Sequence, residues 1–197
     1  MESMIEFVHQ RIKKIINIKN GIDFTMGNGH DTLFLSDYCH HVYSYDIQSL
    51  ALNNTKELVK RKKNITLFLK SHEYFDEDVQ DFEVGIFNLG YLPGGNHECV
   101  TQYETTLKTI EKALEHLVKG GCLHVVVYIG HDQGKESTNL DAYFRSLDHK
   151  LYNVAKFEMM NKNNSPYVVI IGKKVIKSVK TCYNKYIEKG RLLWQKK

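Results

Sequence analysis

The chain repeats one unit: a short apolar, β-prone run that stops on glycine or a polar residue, then a segment with helical spacing. Residues 22–26 form the first run and stop at Gly27. Residues 42–46, 65–69, 84–88 and 123–129 are the next four, the last being the most hydrophobic. Between them, residues 31–38, 50–61 and 101–117 carry apolar side chains three or four apart. Strands that alternate with helices predict a parallel sheet covered on both faces. Few other folds accommodate that alternation.

The details follow from periodicity. Ile5, Val8, Ile12, Ile15 and Ile16 predict an amphipathic helix over 5–18, ended by Gly21. Gly27-Asn28-Gly29 is a tight turn. Leu50, Leu58 and Val59 are expected to face inward from 50–61. Leu107, Ile110, Leu114 and Leu117 mark the buried face of 101–117, with Gly120-Gly121 as its terminator. Residues 92–96, with one proline and two glycines, form a loop. Residues 135–147 are helical, and 153–160 and 167–175 form an antiparallel closing pair. The expected fold is α/β and Rossmann-like: a mostly parallel, doubly wound sheet with an antiparallel closing strand. Residues 1–176 form one domain, and 177–197 are a basic appendage with a helical face (Val179, Cys182, Tyr183, Tyr186, Ile187).

Composition narrows the class. The 197 residues are 42% hydrophobic and 25% charged, which suits one folded domain rather than a disordered chain. No run approaches the roughly 18 apolar residues of a membrane helix, and the first residues lack a signal-peptide layout. A cytosolic protein without a membrane partner is expected. Cys39, Cys99, Cys122 and Cys182 lie far apart, so neither a disulfide nor a structural metal is predicted. A net charge of +4 permits a polyanionic partner without requiring one. Lys60-Arg61-Lys62-Lys63 and the stretch from Lys173 onward concentrate the positive charge.

Five constellations carry chemistry. The first is the turn after the first strand, Gly27-Asn28-Gly29-His30-Asp31. A glycine turn between a strand and a helix lets backbone approach a nucleotide-like ligand. Alone it is also an ordinary connection. The second is Asp46, which ends the second strand about twenty residues later, where an acid takes both ribose hydroxyls. Capping the next helix is its other reading, a task Ser49 can share. Together, turn and acid point to a cofactor site.

The sign of the charge selects the cofactor. A dinucleotide fingerprint wants a third glycine where Thr32 stands. Asp31 places an acid where a pyrophosphate would lie, at a helix N-terminus that otherwise favours anions. S-adenosylmethionine (SAM) has no phosphate and carries a sulfonium and an ammonium group. Asp31 therefore favours SAM over NAD.

The third constellation, Ser71-His72-Glu73, follows the third strand and reads either as a cofactor contact or as a capped loop. The fourth runs from Asn88 through Tyr91, Pro93, Gly94 and Gly95. A central strand ending in Asn offers a carbonyl that accepts an amine's hydrogens and leaves its lone pair aimed at a methyl group. The fifth, Tyr128 to Gly134 with His131, lies on the same edge of the sheet.

These blocks resemble a bacterial family long labelled rRNA methylases. Its members are now understood as tRNA methyltransferases acting on 5-aminomethyl-(2-thio)uridine at the wobble position. The likeness rests on Thr25-Met26-Gly27-Asn28-Gly29-His30-Asp31-Thr32, Asp46-Ile47-Gln48 and Asn88-Leu89-Gly90-Tyr91-Leu92-Pro93-Gly94-Gly95, and it runs from about residue 5 to 176. It implies a class I methyltransferase fold, SAM as donor, a tRNA anticodon arm as acceptor, and a homodimer. It also implies residue roles. Asn28 and Asp31 hold the methionine end, Asp46 and Gln48 the ribose and adenosine, and His72 and Glu73 the rest of the adenosine side. Asn88 and Tyr91 are the catalytic pair. Pro93, Gly94 and Gly95 face the target amine. Apart from the resemblance, Tyr128 is expected to stack on a flipped-out base and His131 to bind substrate or act as a base. Phe24 departs from the family's Asp-Ala-Thr pattern, a change of packing rather than of ligands. Other acceptors (an rRNA base, a small amine) and a non-catalytic RNA-binding protein remain open alternatives.

Overall fold

The computed structural model describes residues 3–90, 103–129, 135–162 and 164–175. In chain order the elements are α1 (Met4–Ile12), β1 (Ile18–Asp23), α2 (His30–Ser36), β2 (Cys39–Asp46), α3 (Ser49–Leu58) and β3 (Ile65–Leu69). A 3-10 helix (His72–Glu77) precedes β4 (Phe82–Leu89), α4 (Tyr103–His116), β5 (Leu117–Val127), α5 (Lys135–Ser146), β6 (Tyr152–Phe157) and β7 (Tyr167–Lys173). The strands form one sheet in the order β3-β2-β1-β4-β5-β7-β6. β1 to β5 are parallel, and β7 runs antiparallel between β5 and β6. The expected doubly wound sheet with its antiparallel closing pair is therefore the observed fold.

Each face of the sheet buries its own apolar layer. Met4, Val8 and Ile12 of α1 and Leu35 of α2 pack on Val42, Val84, Ile86 and Val126. On the other face, Ile110, Ala113 and Leu114 of α4 and Leu140 and Phe144 of α5 pack on Ile22, Phe87, Leu123 and Val125. Strands covered on both sides need continuous apolar runs, which is why β4 and β5 read as they do. Phe24 sits in the second layer, fully buried. Its ring stacks on Phe87 at 4.2 Å and meets Phe75 edge-on at 5.1 Å. Gly85 makes room for it, since a Cβ there would lie 2.9 Å from the Phe24 ring. The bulky residue is thus absorbed by packing, below the ligand-facing turn.

Four local expectations are corrected. The first helix ends at Ile12, not at residue 18, and the strand expected at 22–26 begins at Ile18. Asn17 takes a left-handed turn (φ 58°), and Ile18 pairs with Cys39. Ile15 and Ile16 keep the apolar period but lie past the helix end, Ile15 packed against the first apolar layer and Ile16 exposed. Leu50 and Leu58 are exposed, at 44% and 39%, while Ala51 and Thr55 are the buried residues of α3. Gly120 and Gly121 lie inside β5 rather than ending α4. Gly121 belongs there because a Cβ would sit 2.8 Å from the Glu83 carbonyl oxygen.

Candidate active site

β1 and β4 are neighbours, and the chain winds outward from them in both directions. Ligands of such sheets bind in the crevice at the carboxyl ends of the strands at this switch point. Asp23 aligns with Ile86 and Ser44, so the turn after β1, Asp46 and Asn88 share that edge. The Asn88 backbone N–H donates to Thr25 Oγ1 at 2.8 Å and ties the two central strands together there.

The glycine turn is held by hydrogen bonds from both sides. Gly27 N–H donates to Asp46 Oδ2 at 3.0 Å, and Gln48 N–H donates to Asp46 Oδ1 at 2.9 Å. Each carboxylate oxygen keeps a second lone pair for a vicinal diol. Burial raises the Asp46 pKa, and the backbone donors, Gln48 first, oppose that rise. Gly29 caps α2 at φ 83°, and a Cβ there would lie 2.6 Å from Thr55 Oγ1. Only glycine meets both demands. Asn28 Oδ1 accepts from Asn54 Nδ2 at 2.9 Å, which ties the turn to α3.

Asp31 lies in the first turn of α2, buried. Its Oδ2 accepts from Asn88 Nδ2 at 3.1 Å, and its Oδ1 is 2.7 Å from His9 Nε2. Beneath it, Asp23 is fully buried and accepts from Thr32 Oγ1 at 2.6 Å and from Thr25 N–H at 3.1 Å. The single Thr32 proton goes to Asp23, so Ser44, 2.7 Å away, donates to Thr32. Burial raises the Asp23 pKa strongly, and the Asp31 charge adds to it. A cation in this crevice would relieve that repulsion.

His72 and Glu73 open the 3-10 helix, capped by Ser71. His72 Nδ1 is 2.8 Å from Thr109 Oγ1, and its ring meets Phe87 edge-on. Burial pushes the His72 pKa down to about 4, so the ring is neutral. Glu73 lies 3.7 Å from Lys108 Nζ. Tyr128, just past β5, lies across Gly90, whose added Cβ would touch the ring at 3.5 Å. Burial and then the Asp31 charge raise its pKa. The crevice thus brings together Asn28, Asp31, Asp46, Gln48, Asn88 and Tyr128, with His72 and Glu73 at its β3 side. Tyr91, Pro93, Gly94, Gly95 and His131 lie outside the described residues, as does the stretch 176–197.

Sequence reasoning missed His9, Thr32 and Ser44. Asp23, an acid inside the apolar run 22–26, was the available signal for a buried acid needing hydroxyl partners. No local pattern linked His9 to Asp31.

The cluster at 60–63 stands on the opposite edge of the sheet. Asn64, just after it, accepts from Val42 N–H at 2.9 Å near the start of β2. Four strand steps, about 13 Å, separate Val42 from Asp46. Lys60 is paired with Glu57 and Lys62 with Asp37. Arg61 and Lys63 are exposed and make no ion pair among the described residues.

A switch-point crevice with a glycine turn, a strand-ending acid and acids in place of phosphate donors has the arrangement of the class I methyltransferase fold. The chain belongs to the family described as "Putative rRNA methylase", which it matches over residues 42–173. It is 35% identical over 171 residues to an Arabidopsis thaliana protein named tRNA (mnm(5)s(2)U34)-methyltransferase, chloroplastic, covering 78% of this chain. The match covers 62% of that curated relative, so the chain spans less than two thirds of its length. Among solved structures it is similar to a "putative rRNA-methylase" from Clostridium thermocellum (32% identity, TM-score 0.84, covering 88% of this chain and 98% of that one). It is also similar to a "putative methyltransferase" from Streptococcus mutans in complex with SAH (36% identity, TM-score 0.82, covering 88% and 99%).

Proposed function

We propose that the protein transfers a methyl group from SAM to the 5-aminomethyl group of (2-thio)uridine at the tRNA wobble position, giving 5-methylaminomethyl-(2-thio)uridine. The observation that carries this reading is the Asn88 amide, held by Asp31 at the carboxyl end of β4 beside the glycine turn. The name of the Arabidopsis relative supports the choice of acceptor. The acids of the crevice fit a cationic, phosphate-free nucleoside, and SAM supplies an electrophilic methyl on a sulfonium.

In this reading Asp46 and Gln48 hold the ribose side, Asn28 and Asp31 the methionine end, and His72 and Glu73 the adenosine side. An alkylamine has a pKa near that of lysine, about 10.4, and is mostly protonated at neutral pH. Burial and a neighbouring cation favour the neutral amine, which alone attacks. With its nitrogen donating to Asp31, the Asn88 amide turns its carbonyl oxygen away from that acid, toward an incoming amine. SAM, when bound, would supply the methyl group to the amine's lone pair and leave as S-adenosylhomocysteine with the C–S electrons on sulfur, the ammonium proton passing to water. Holding the partners in line supplies most of the acceleration. Tyr91, the Pro93-Gly94-Gly95 loop, Tyr128 and His131 complete the substrate side.

The acceptor is the anticodon arm of tRNA, the active form a cytosolic homodimer of domain 1–176, and 177–197 a basic appendage. Arg61, Lys63 and that appendage contact phosphates. The deciding test compares tRNA nucleosides from wild-type and deletion strains by mass spectrometry. Loss of the methylated aminomethyluridine is the expected result, and unchanged nucleosides would sink the tRNA reading. A second reading, a small-amine acceptor, draws on the acids that line the described crevice. Methyl transfer insensitive to salt would favour it, because phosphate contacts weaken steeply with salt.

A further inference from the structure

We propose that His9 is a positioning residue of this site: it fixes Asp31, and through Asp31 it fixes the Asn88 amide. The proposal rests on the methyltransferase reading above, in which Asp31 meets the cofactor and Asn88 meets the amine. Nothing in the motifs of the crevice includes His9. It comes from α1, whose start is locked by a capping box: Ser3 Oγ accepts from Glu6 N–H, and the Glu6 carboxylate accepts from Ser3 N–H.

The His9 ring is held by a stack and a hydrogen bond. It stacks on Phe34 of α2 at 3.7 Å with an interplanar angle of 6°. In that plane Nε2 reaches Asp31 Oδ1 at 2.7 Å. The side chains are 20% and 7% exposed, so water competes weakly for the bond. Asp31 is an acceptor, so the His9 proton sits on Nε2. The other oxygen of Asp31 accepts from Asn88 Nδ2 at 3.1 Å. An amide nitrogen only donates, so this bond settles which end of the Asn88 amide faces the crevice. The chain His9–Asp31–Asn88 therefore links α1, α2 and β4 and transmits one geometry.

Removing the imidazole donor leaves Asp31 with one anchor, above the buried Asp23 that repels it. The carboxylate can then rotate, and the amide can flip. The functional cost falls on both ends: a loosened methionine site and a misdirected acceptor carbonyl. Hydrogen bonds to a charged, buried partner are worth enough to shift affinity or rate by about tenfold or more.

Three variants separate packing from hydrogen bonding. His9→Phe keeps the stack on Phe34 and loses the donor. His9→Gln restores a neutral donor near the position of Nε2. His9→Phe in an Asp31→Ala background tests whether His9 acts through Asp31. The readouts are the Kd of S-adenosylhomocysteine by calorimetry, kcat and KM for tRNA bearing the unmethylated aminomethyl group, and Tm as a control of folding. The expected result for His9→Phe is a Kd raised about tenfold and a kcat lowered about tenfold, with little change in KM for tRNA. His9→Gln should recover most of both, and His9→Phe should add nothing once Asp31 is gone. Wild-type Kd and kcat in His9→Phe would overturn the role of His9, as would a loss that His9→Gln fails to rescue. A wild-type protein that binds no S-adenosylhomocysteine would overturn the cofactor reading and this proposal with it.

Discussion

The two edges of the sheet differ in kind. The carboxyl edge carries Asp23, Asp31 and Asp46, two of them buried, with each carboxylate engaged by backbone or side-chain donors. The amino edge near β1 and β3 carries Lys13, Lys14, Lys19, Arg61 and Lys63, all exposed. One edge is an ordered, desolvated acid network; the other is a solvated basic rim. Buried, partnered charges have defined geometry and shifted pKa values, whereas exposed charges act through screened, long-range fields. The first edge therefore suits a small ligand, and the second offers exposed cations to a polyanion.

The strongest test strikes the acid edge. Asn88→Ala should lower kcat about a hundredfold, the scale of losing one positioned polar group in a site. Folding and S-adenosylhomocysteine binding should change far less. Full activity with unchanged cofactor binding would remove Asn88 from the mechanism.

Between the edges lies His124 of β5, 1% exposed, facing Arg11 and His9 of α1. Burial pushes its pKa down to about 4, as it does for His72. The unfolded chain, with histidines near 6.5, binds more protons than the folded one between pH 4 and 6.5. The two histidines therefore contribute a loss of stability as pH drops through that window, which the raised carboxyl of Asp23 partly offsets. For His124 the expected loss is on the order of 2–3 kcal/mol. The check is the denaturation midpoint against pH. In His124→Phe the slope should flatten, and an unaltered slope would place the proton uptake elsewhere.

Gly29→Ala comes next. A side chain at φ 83° with Thr55 Oγ1 2.6 Å from its Cβ should cost about 2 kcal/mol of stability. The same shift should weaken S-adenosylhomocysteine binding. Pairing the change with Thr55→Ala should recover part of the stability, leaving the backbone strain; no recovery at all would rule out the steric clash.

The smallest effect is expected at the basic rim. Arg61→Ala with Lys63→Ala should weaken tRNA binding by about tenfold and make its salt dependence shallower by about two charges. S-adenosylhomocysteine affinity should stay as it is. An unchanged salt slope would exonerate Arg61 and Lys63 and move the phosphate contacts to other residues.

Much of the fold was legible. β3 spans the residues that its apolar run predicts, and Asp46 ends β2 as expected. The glycine turn, Asp31, Asp46 and Asn88 converge as their positions at strand ends required, because parallel strands aim all their carboxyl ends one way. Leu50 and Leu58 misled, since α3 covers its sheet face with Ala51 and Thr55. A small buried residue leaves no hydrophobic mark in a sequence. Ile15 and Ile16 misled because they keep the helical period inside the connection that the left-handed backbone of Asn17 closes.

The amino-acid sequence by itself determined the strand–helix alternation, the turn that needs glycine, and the acids that refuse a phosphate. These are local facts of period, conformational freedom and charge. Only the tertiary structure decided that His9 reaches Asp31 from a separate helix, that Thr32 and Ser44 satisfy Asp23, and that the basic cluster faces away from the crevice. Those depend on which residues distant in the chain become neighbours, and packing alone settles that.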